Sequence, residues 1–599
     1  MAEYQTPLRD INFVLFELLD AESHYEAIPA YAEVNQELMT AVIEEAAKFA
    51  DNVLAPLYQV GDKEGCTWTP EGVKTPTGFK EAYQQYVENG WPAMSAPVEM
   101  GGQGLPHSFG GVVNNEIVGT ANWPWGMYPG LSHGAKVTVE THGTEEQIAQ
   151  YLPKMIEGSW TGTMCLTEAH CGTDLGLLRT KADPNPDGSY RLSGTKIFIS
   201  AGDHDMAENI IHIVLARLPD APPGTKGISL FLVPKFKVNE DGSVGERNNV
   251  NCGSIEHKMG INGSATCVLN FEEAQGYLLG EPNKGLPAMF TFMNTARIGT
   301  AIQGLCTAER AFQGALEYAR ERLQMRSLSG PKNPDAEADP IIVHPNVRRM
   351  LLTQKAFAEG GRAFIYWLGT LLDIAHADLG EQSQASDDLL SLLTPIAKAF
   401  LTETGLEAAN YGVQIFGGHG YIKEWGMEQI VRDGRIATIY EGTTGIQSID
   451  LLGRKVLGSG GELLKNYTKI VHLFCKEHSD NEAMQEFIEP LQAMNQEIGE
   501  LTMQIGAAAM KNPEEAGAAS VDYLMYSGYF VLAHMWAKMA LVAQSKLAEG
   551  AGEESFYKAK IKTARFYYER LLPRTATHKQ AMLSGAENLM SMSEENFKF

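Results

Sequence analysis

Between residues 161 and 275 the chain changes texture, and that change constrains its fold more than any other feature. Short apolar and β-branched runs (Ile210 to Val214, Ile228 to Val233, Cys267 to Phe271) are separated by Asp-Gly, Pro-Pro-Gly and Asn-Gly turns. That is the pattern of paired strands. On the N-terminal side, apolar residues recur at three- and four-residue spacing over Glu37 to Val53 and Lys80 to Glu88, which predicts amphipathic helices. On the C-terminal side the pattern predicts long helices over Thr295 to Gln324 and Leu389 to Gln414. The expected fold is mainly α, with an antiparallel β domain inserted between helical ones.

A chain of 599 residues is too long for one hydrophobic core. The expected division is an extension over 1–35, a helical domain over 36–160, the β domain over 161–275, a helical bundle over 276–455 and an additional helical domain over 456–599. In the last, Met-, Ala- and Leu-rich helices near 481–511, 514–549 and 555–573 make a small bundle. Ser327 to Pro345, rich in Pro, Gly and Asp, is expected to be a loop insertion. Tyr523 to Ala537 carries no Lys, Arg, Asp or Glu. It is shorter than the roughly 20 residues a spanning helix needs, so a buried bundle helix is expected and no transmembrane segment.

The formal net charge of −26 repels phosphate backbones and argues against nucleic acid as a partner. Seven scattered cysteines without a Cys-x-x-Cys pair exclude a zinc ribbon and a redox dithiol, and no metal ligand set is assigned. The opening Met-Ala-Glu-Tyr-Gln has neither a basic region nor an apolar run. With no secretory signal, a cytoplasmic protein is expected, with peripheral contact at the inner membrane as the alternative. His133 and His142 lie near Ser132 and Thr144, but no nucleophile elbow accompanies them, so a hydrolase triad is not supported.

The chemistry concentrates in Arg432-Asp433-Gly434-Arg435-Ile436-Ala437-Thr438-Ile439-Tyr440-Glu441-Gly442-Thr443. A base that removes a proton beside a carbonyl must reach the carbon, while a backbone N–H comes close enough to hold the developing enolate oxygen. Glu441 supplies the carboxylate, and Gly442, lacking Cβ, permits the approach. Alone, this segment reads as a solvated turn before a helix with Thr443 as N-cap.

Other motifs place it in context. Met164-Cys165-Leu166-Thr167-Glu168-Ala169-His170-Cys171-Gly172-Thr173-Asp174, Gly194-Thr195-Lys196-Ile197-Phe198-Ile199-Ser200, Met293-Asn294-Thr295-Ala296-Arg297 and Gln414-Ile415-Phe416-Gly417-Gly418-His419-Gly420-Tyr421 occur in that order before it. Over residues 36–455 the chain resembles the acyl-CoA dehydrogenase family of flavoproteins. The resemblance implies that Cys165, Leu166, Thr167, Gly172 and Thr173 meet the FAD ring edge, and that Phe198, Ile199 and Ser200 cover the isoalloxazine. It implies that Arg322 and Met325 reach the pyrophosphate of a neighbouring subunit, although Met325-Arg326 replaces the usual aromatic–Gly pair. Gln414, Gly417, Gly418, Thr443 and Gly445 would complete the FAD site, with Gly445 where the family often has a polar residue. Thr173, Asn294, Arg297 and Gly442 would line the acyl-CoA site. A subset of the family carries its catalytic Glu at the position of Ala296. Alanine cannot act as a base, so Glu441 is the expected catalytic residue.

The start Pro7-Leu8-Arg9-Asp10-Ile11-Asn12-Phe13, the insertion and the extra C-terminal bundle resemble the longer bacterial branch, which includes 3-methylmercaptopropionyl-CoA and fatty acyl-CoA dehydrogenases. The resemblance implies removal of an α-proton by Glu441 and transfer of a β-hydride to the flavin. Electrons would pass on to an electron-transfer flavoprotein, and the expected assembly is a homodimer. A fatty acyl-CoA in β-oxidation is the first substrate expectation. The alternatives are 3-methylmercaptopropionyl-CoA, from dimethylsulfoniopropionate breakdown, and an acyl-CoA oxidase.

Overall fold

The computed structural model describes residues 4–598. The chain forms two compact units, Val42–Gly299 and the combination of Met1–Ala41 with Thr300–Phe599.

In the Val42–Gly299 unit, helices Phe79–Glu88, Asn114–His142 and Glu145–Glu157 precede a seven-stranded sheet. The helix Asn114–His142 breaks at Asn122, whose φ of −159° and ψ of 86° are not helical. Pro124 cannot donate to the preceding turn. The Asn122 side chain accepts the Trp125 N–H at 3.2 Å instead, so the aromatic segment starts a fresh helix with its own cap. Glu145–Glu157 opens on a capping box between Thr144 and Gln147, which satisfies orphan N–H groups at that end.

The sheet runs Val250–Ile255, Thr266–Leu278, Tyr190–Ser200, Lys181–Pro184, Asn209–Arg217, Trp160–Cys165. Ile228–Pro234 pairs with both Thr266–Leu278 and Asn209–Arg217, so the path closes on itself as a small barrel. The pairing is antiparallel except where Trp160–Cys165 and Lys181 lie parallel to Asn209–Arg217.

Period-two alternation divides the central strands between two cores. Ile211, Ile213, Leu215, Leu230 and Leu232 pack with Trp160, Met289 and Phe292. Val214, Ala216, Phe231 and Val233 pack with Ile199, Cys267 and Phe271 on the other face. Strands buried on both faces read as continuous apolar runs rather than alternating ones, which is what Ile210 to Val214 and Ile228 to Val233 showed.

In the other unit the long helices are the part of Gly285–Glu321 from Thr300 onward, Pro345–His376, Glu381–Phe416, Gln485–Ala509, Glu514–Ala548 and Glu554–Phe566. Tyr523, Phe530 and Trp536 on Glu514–Ala548 are buried, and the Trp536 indole N–H donates to Ala356 O at 3.2 Å. The uncharged segment is therefore a buried bundle helix. Among the described residues no helix is long and apolar enough to cross a membrane.

The start of the chain docks on this unit. Ile11, Phe13, Val14 and Leu15 are buried. Asp10 receives both Arg362 and Lys560, Arg362 also pairs with Glu309 at 2.9 Å, and Lys560 with Glu359 at 2.8 Å. Burial alone would raise the Asp10 carboxyl, but Lys560 and Arg362 outweigh it and hold the group at about 2.

Candidate active site

In the Val42–Gly299 unit the site begins where strand Trp160–Cys165 ends. Glu168 and Cys171 exchange backbone hydrogen bonds at 2.9 and 3.0 Å, closing a tight turn. Beneath it Lys196, fully buried, donates to Leu166 O and to Glu168 Oε1, each at 2.9 Å. The Glu168 carboxylate also accepts from Arg179 N, Thr180 N and Thr180 Oγ1 at 2.8, 3.0 and 2.6 Å. Burial would raise its pKa, yet Lys196 and these donors hold it at about 2. Burial also pulls the Lys196 ammonium down while Glu168 pulls it back up. The pair stays ionised because the carboxylate, with its further donors, lies far below its usual range.

The same strand carries Phe198. Ile199 pairs with Cys267 and Lys196 with Leu269, so Ile197 and Phe198 together face Val268 alone. That is a β-bulge, a device that re-aims side chains beside functional sites. Phe198 adopts φ +58° and its ring is 60% exposed, whereas Ile199 is buried. The Ile197 N–H donates to Thr167 O at 2.9 Å, and Thr163 Oγ1 donates to Ser200 O at 2.5 Å. Leu166, Thr167, Phe198 and Ser200 are thereby held on one rigid edge. Gly172 and Thr173 lie exposed just past the turn, and Thr167 Cγ2 is 3.4 Å from where a Gly172 Cβ would stand. Cys165 is fully buried, so it and Ile199 can meet a ligand only through main chain.

Glu168, His170 and Cys171 present donor atoms within 4.8 Å of one another. The Glu168 oxygens are already engaged, and His170 Nε2 bonds Leu177 O at 2.9 Å, so this cluster is a structural turn. Ser132, which accepts the Gly162 N–H and donates to Tyr128 O, is likewise structural. Asn294 is exposed and Arg297 nearly buried on Gly285–Glu321. Ala296 packs against the apolar core.

In the other unit Glu441 is half-buried and takes φ +59°, followed by Gly442 at φ +87°. A left-handed non-glycine residue costs on the order of 1–2 kcal/mol and persists only where its surroundings fix it. Here they do. Gln447 Nε2 donates to Glu441 O at 2.8 Å and Lys398 Nζ to Gly442 O at 2.6 Å; both side chains are fully buried. The Tyr440 hydroxyl donates to Gln303 Oε1. Thr443 caps Thr444–Ile449 by accepting the Ile446 N–H at 3.3 Å. Its hydroxyl performs the capping role that the segment alone pointed to.

Arg322 is exposed just past Gly285–Glu321, and its carbonyl accepts the Ile341 N–H at 2.8 Å. Met325 is 77% exposed with φ +61°. The insertion is an ordered loop gathered on Asp339, whose carboxylate accepts N–H groups from Ser327, Lys332 and Asn333 at 2.8, 2.9 and 2.8 Å. Those donors hold it at about 2.

Gln414 is exposed near the end of Glu381–Phe416. A Cβ built on Gly417 or Gly418 meets nothing within 4 Å, and one on Gly445 meets only Thr443 Oγ1 at 3.8 Å. Packing does not force these glycines, although Gly417 also takes φ +61°; they leave the main chain bare to a close-approaching ligand.

Sequence reasoning missed the residues that hold these loops: Lys398, Gln447 and Gln303 around Glu441, and the Lys196–Glu168 pair beneath Thr167. A signal existed for one of them. Lys398 is a lone cation in the apolar run Leu389 to Leu401, and a charge there must be buried with a partner.

Family models match along the chain. "Acyl-CoA dehydrogenase, N-terminal domain" covers residues 36–159, the middle domain 163–274 and the C-terminal domain 283–457. "Acetyl-CoA dehydrogenase C-terminal like" covers 467–593. A 3-methylmercaptopropionyl-CoA dehydrogenase of Ruegeria pomeroyi is 41% identical over 98% of this chain and 100% of its own length. The broad-specificity linear acyl-CoA dehydrogenase FadE5 of Mycobacterium tuberculosis is 32% identical over the full length of both. A structure of a Bacillus anthracis acyl-CoA dehydrogenase complexed with FAD shares the fold at TM-score 0.71 and 22% identity, covering 92% of this chain and 88% of that one. By end-to-end similarity and by architecture, this chain belongs to the acyl-CoA dehydrogenase family.

Proposed function

We propose that the chain is an FAD-dependent acyl-CoA dehydrogenase that converts an acyl-CoA thioester to its trans-2-enoyl form, with Glu441 as the base. The observation that carries the reading is the Glu441–Gly442 backbone. Two successive left-handed residues are pinned by the buried Gln447 and Lys398, so a carboxylate and its own N–H are preorganised together.

The residues present fit FAD. Phe198 offers an exposed aromatic face on a bulge, with Thr167 and Ser200 beside it, and Gly417, Gly418 and Gly445 leave open main chain. Arg322, Met325 and Gln414 are exposed on the second unit and would serve the pyrophosphate and adenosine. Bound there, FAD supplies the two-electron acceptor for the β-hydride.

The protein's part is proton transfer and positioning. The Glu441 carboxylate takes the α-proton, and the Glu441 N–H donates to the thioester oxygen as negative charge develops on it. Because that contact strengthens toward the transition state, it lowers the barrier rather than only tightening binding. Thr173, Asn294, Arg297 and Gly442 orient the acyl-CoA. Electron-transfer flavoprotein is the proposed acceptor of the reducing equivalents, and a homodimer the proposed assembly.

Among substrates, 3-methylmercaptopropionyl-CoA comes first. The full-length relative bearing that activity in its name is 41% identical, against 32% for the broad-specificity linear enzyme. Straight-chain fatty acyl-CoA is the second reading.

The test is the anaerobic visible spectrum of the purified protein during addition of butyryl- to palmitoyl-CoA and 3-methylmercaptopropionyl-CoA. Bleaching of a flavin band by one class fixes both chemistry and range. Glu441→Gln should keep the band and lose about 10²–10⁴-fold or more in the bleaching rate, the size of a general-base contribution. A band that no thioester bleaches, or a Gln variant as fast as wild type, sinks the reading. Peroxide formed during aerobic turnover would indicate an oxidase.

A further inference from the structure

The Val42–Gly299 unit contains a cavity of about 60 Å³, bounded by helices Phe79–Glu88, Asn114–His142 and Glu145–Glu157 and the turn near Trp91. One wall is apolar, formed by Leu152, Met155 and Ile156. Lys136 stands on the opposing helix. Its ammonium donates to Pro92 O at 2.5 Å, and among the described residues no carboxylate lies within salt-bridge distance of it. The nearest acidic influence is Glu140, one turn further along the same helix. The Trp91 indole N–H, also bordering the cavity, is buried without a hydrogen-bond partner.

A partly buried cation lacking a counter-ion carries a desolvation cost, and an orphaned donor in the same pocket adds to it. Both are relieved by a ligand with a carboxylate at one end and a short alkyl body for the apolar wall. The whole-chain charge of −26 disfavours casual collection of anions, so anion affinity here requires a built site.

We propose that this cavity is a binding site for a short alkyl carboxylate, with the Lys136 ammonium holding the carboxylate and Leu152, Met155 and Ile156 covering the chain. The carboxylate is either a free short-chain acid or the far end of a dicarboxylic thioester. The inference does not depend on the dehydrogenase reading, because binding can be measured without turnover.

Burial leaves the Lys136 amine at about 8, and a bound carboxylate favours its charged form. Above pH 8 the free protein must take up a proton to bind, so affinity falls by about tenfold per pH unit. The other titratable groups facing the cavity are His133 and Glu140 on the lysine's own helix, His107 opposite, and Tyr83 and Tyr86 on Phe79–Glu88. Burial pushes both tyrosines well above their usual range, so the window above pH 8 isolates Lys136.

The experiment is saturation-transfer NMR on the full-length protein with propionate, using propionamide as the uncharged control and chloride as competitor. Expected are saturable propionate binding, at least tenfold weaker binding of propionamide, and at least a tenfold loss in Lys136→Met. Lys136→Arg should bind with no decline between pH 8 and 9.5, while wild type declines. Should Lys136→Met fail to fold, the wild-type pH series and the Arg variant decide the matter.

Propionamide binding equal to propionate, displacement by chloride at equal concentration, or affinity flat from pH 7.5 to 9.5 overturns the proposal. Displacement of propionate by glutaryl-CoA but not butyryl-CoA identifies the thioester's far carboxylate as the source. Displacement by neither identifies the free acid, and displacement by both overturns the site as a carboxylate site.

Discussion

Replacing Lys196 by Met should loosen the turn beneath Thr167 far more than a surface substitution would. Lys196 is fully buried and holds two groups, Leu166 O and the Glu168 carboxylate. The methionine keeps the volume but leaves a carboxylate in the interior without its cation. Removing one partner of a buried pair costs about 3–5 kcal/mol, equivalent to roughly two to nearly four orders of magnitude in the local opening equilibrium at about 1.4 kcal/mol per decade. The assay is hydrogen exchange of a peptide containing Ile197, whose N–H is bonded to Thr167 O. Local exchange requires no assumption that so large a chain unfolds in one step.

Adding Glu168→Gln should recover part of the loss. No bare charge then remains, and the residual cost is about 1–3 kcal/mol for the unmatched polar groups. Acid provides an independent arm. The Glu168 carboxyl sits at about 2 in the fold against 4.5 for an unperturbed group, so its contribution is complete above pH 4.5 and drains away as the pH falls toward 2. With Lys196→Met the loss should begin at higher pH. A change in protection below tenfold for the single variant, or a double variant equal to the sum of two singles, refutes the reasoning.

Gly442→Ala meets two obstacles, a φ of +87° and a Cβ placed 2.6 Å from Gln447 Nε2. It should cost about 1–2 kcal/mol and lower kcat at least tenfold with little change in KM in a steady-state assay. Asp10→Asn removes one of the carboxylates that Lys560 and Arg362 share, leaving them Glu359 and Glu309, and should cost about 1–3 kcal/mol, seen as faster proteolytic release of the N-terminal segment. Because Asp10 lies at about 2 in the fold, wild type should lose that protection as pH drops from about 4 toward 2, which pH-stepped proteolysis would show. Asp339→Asn replaces one of the two carboxylate oxygens that between them accept three backbone N–H groups by an NH2 that cannot accept, and should speed tryptic cleavage at Lys332 several-fold without changing turnover.

Architecture was legible because it rests on periodicity. The runs Ile228 to Val233 and Cys267 to Phe271 became the strands Ile228–Pro234 and Thr266–Leu278, and Leu389 to Gln414 lies within Glu381–Phe416. Thr295 to Gln324 overran the observed end at Glu321, since the apolar spacing continues into the insertion's neck. Parallel pairing of Trp160–Cys165 was not legible, because each strand of a doubly buried pair looks the same in either direction.

Glu441 could be singled out by its neighbours, but the left-handed backbone that presents it could not. Non-glycine residues take that conformation only when tertiary contacts impose it, and Gln447 and Lys398 come from different helices. The Phe198 bulge was hidden for a similar reason. An extra residue in one strand is defined only against its partner, and no local pattern in Gly194 to Ser200 marks it.

The Asp10–Lys560 contact joins positions 550 residues apart. At a ribosomal pace of about 5–20 residues per second, the N-terminal segment waits on the order of half a minute to two minutes for the helix Glu554–Phe566 to emerge. During that interval Phe13, buried in the finished protein, has no permanent seat beside Phe556 and Tyr557. The Asp10–Lys560 link can therefore close only after translation has passed Lys560, so the N-terminal segment takes its final seat late, whatever its own helical propensity.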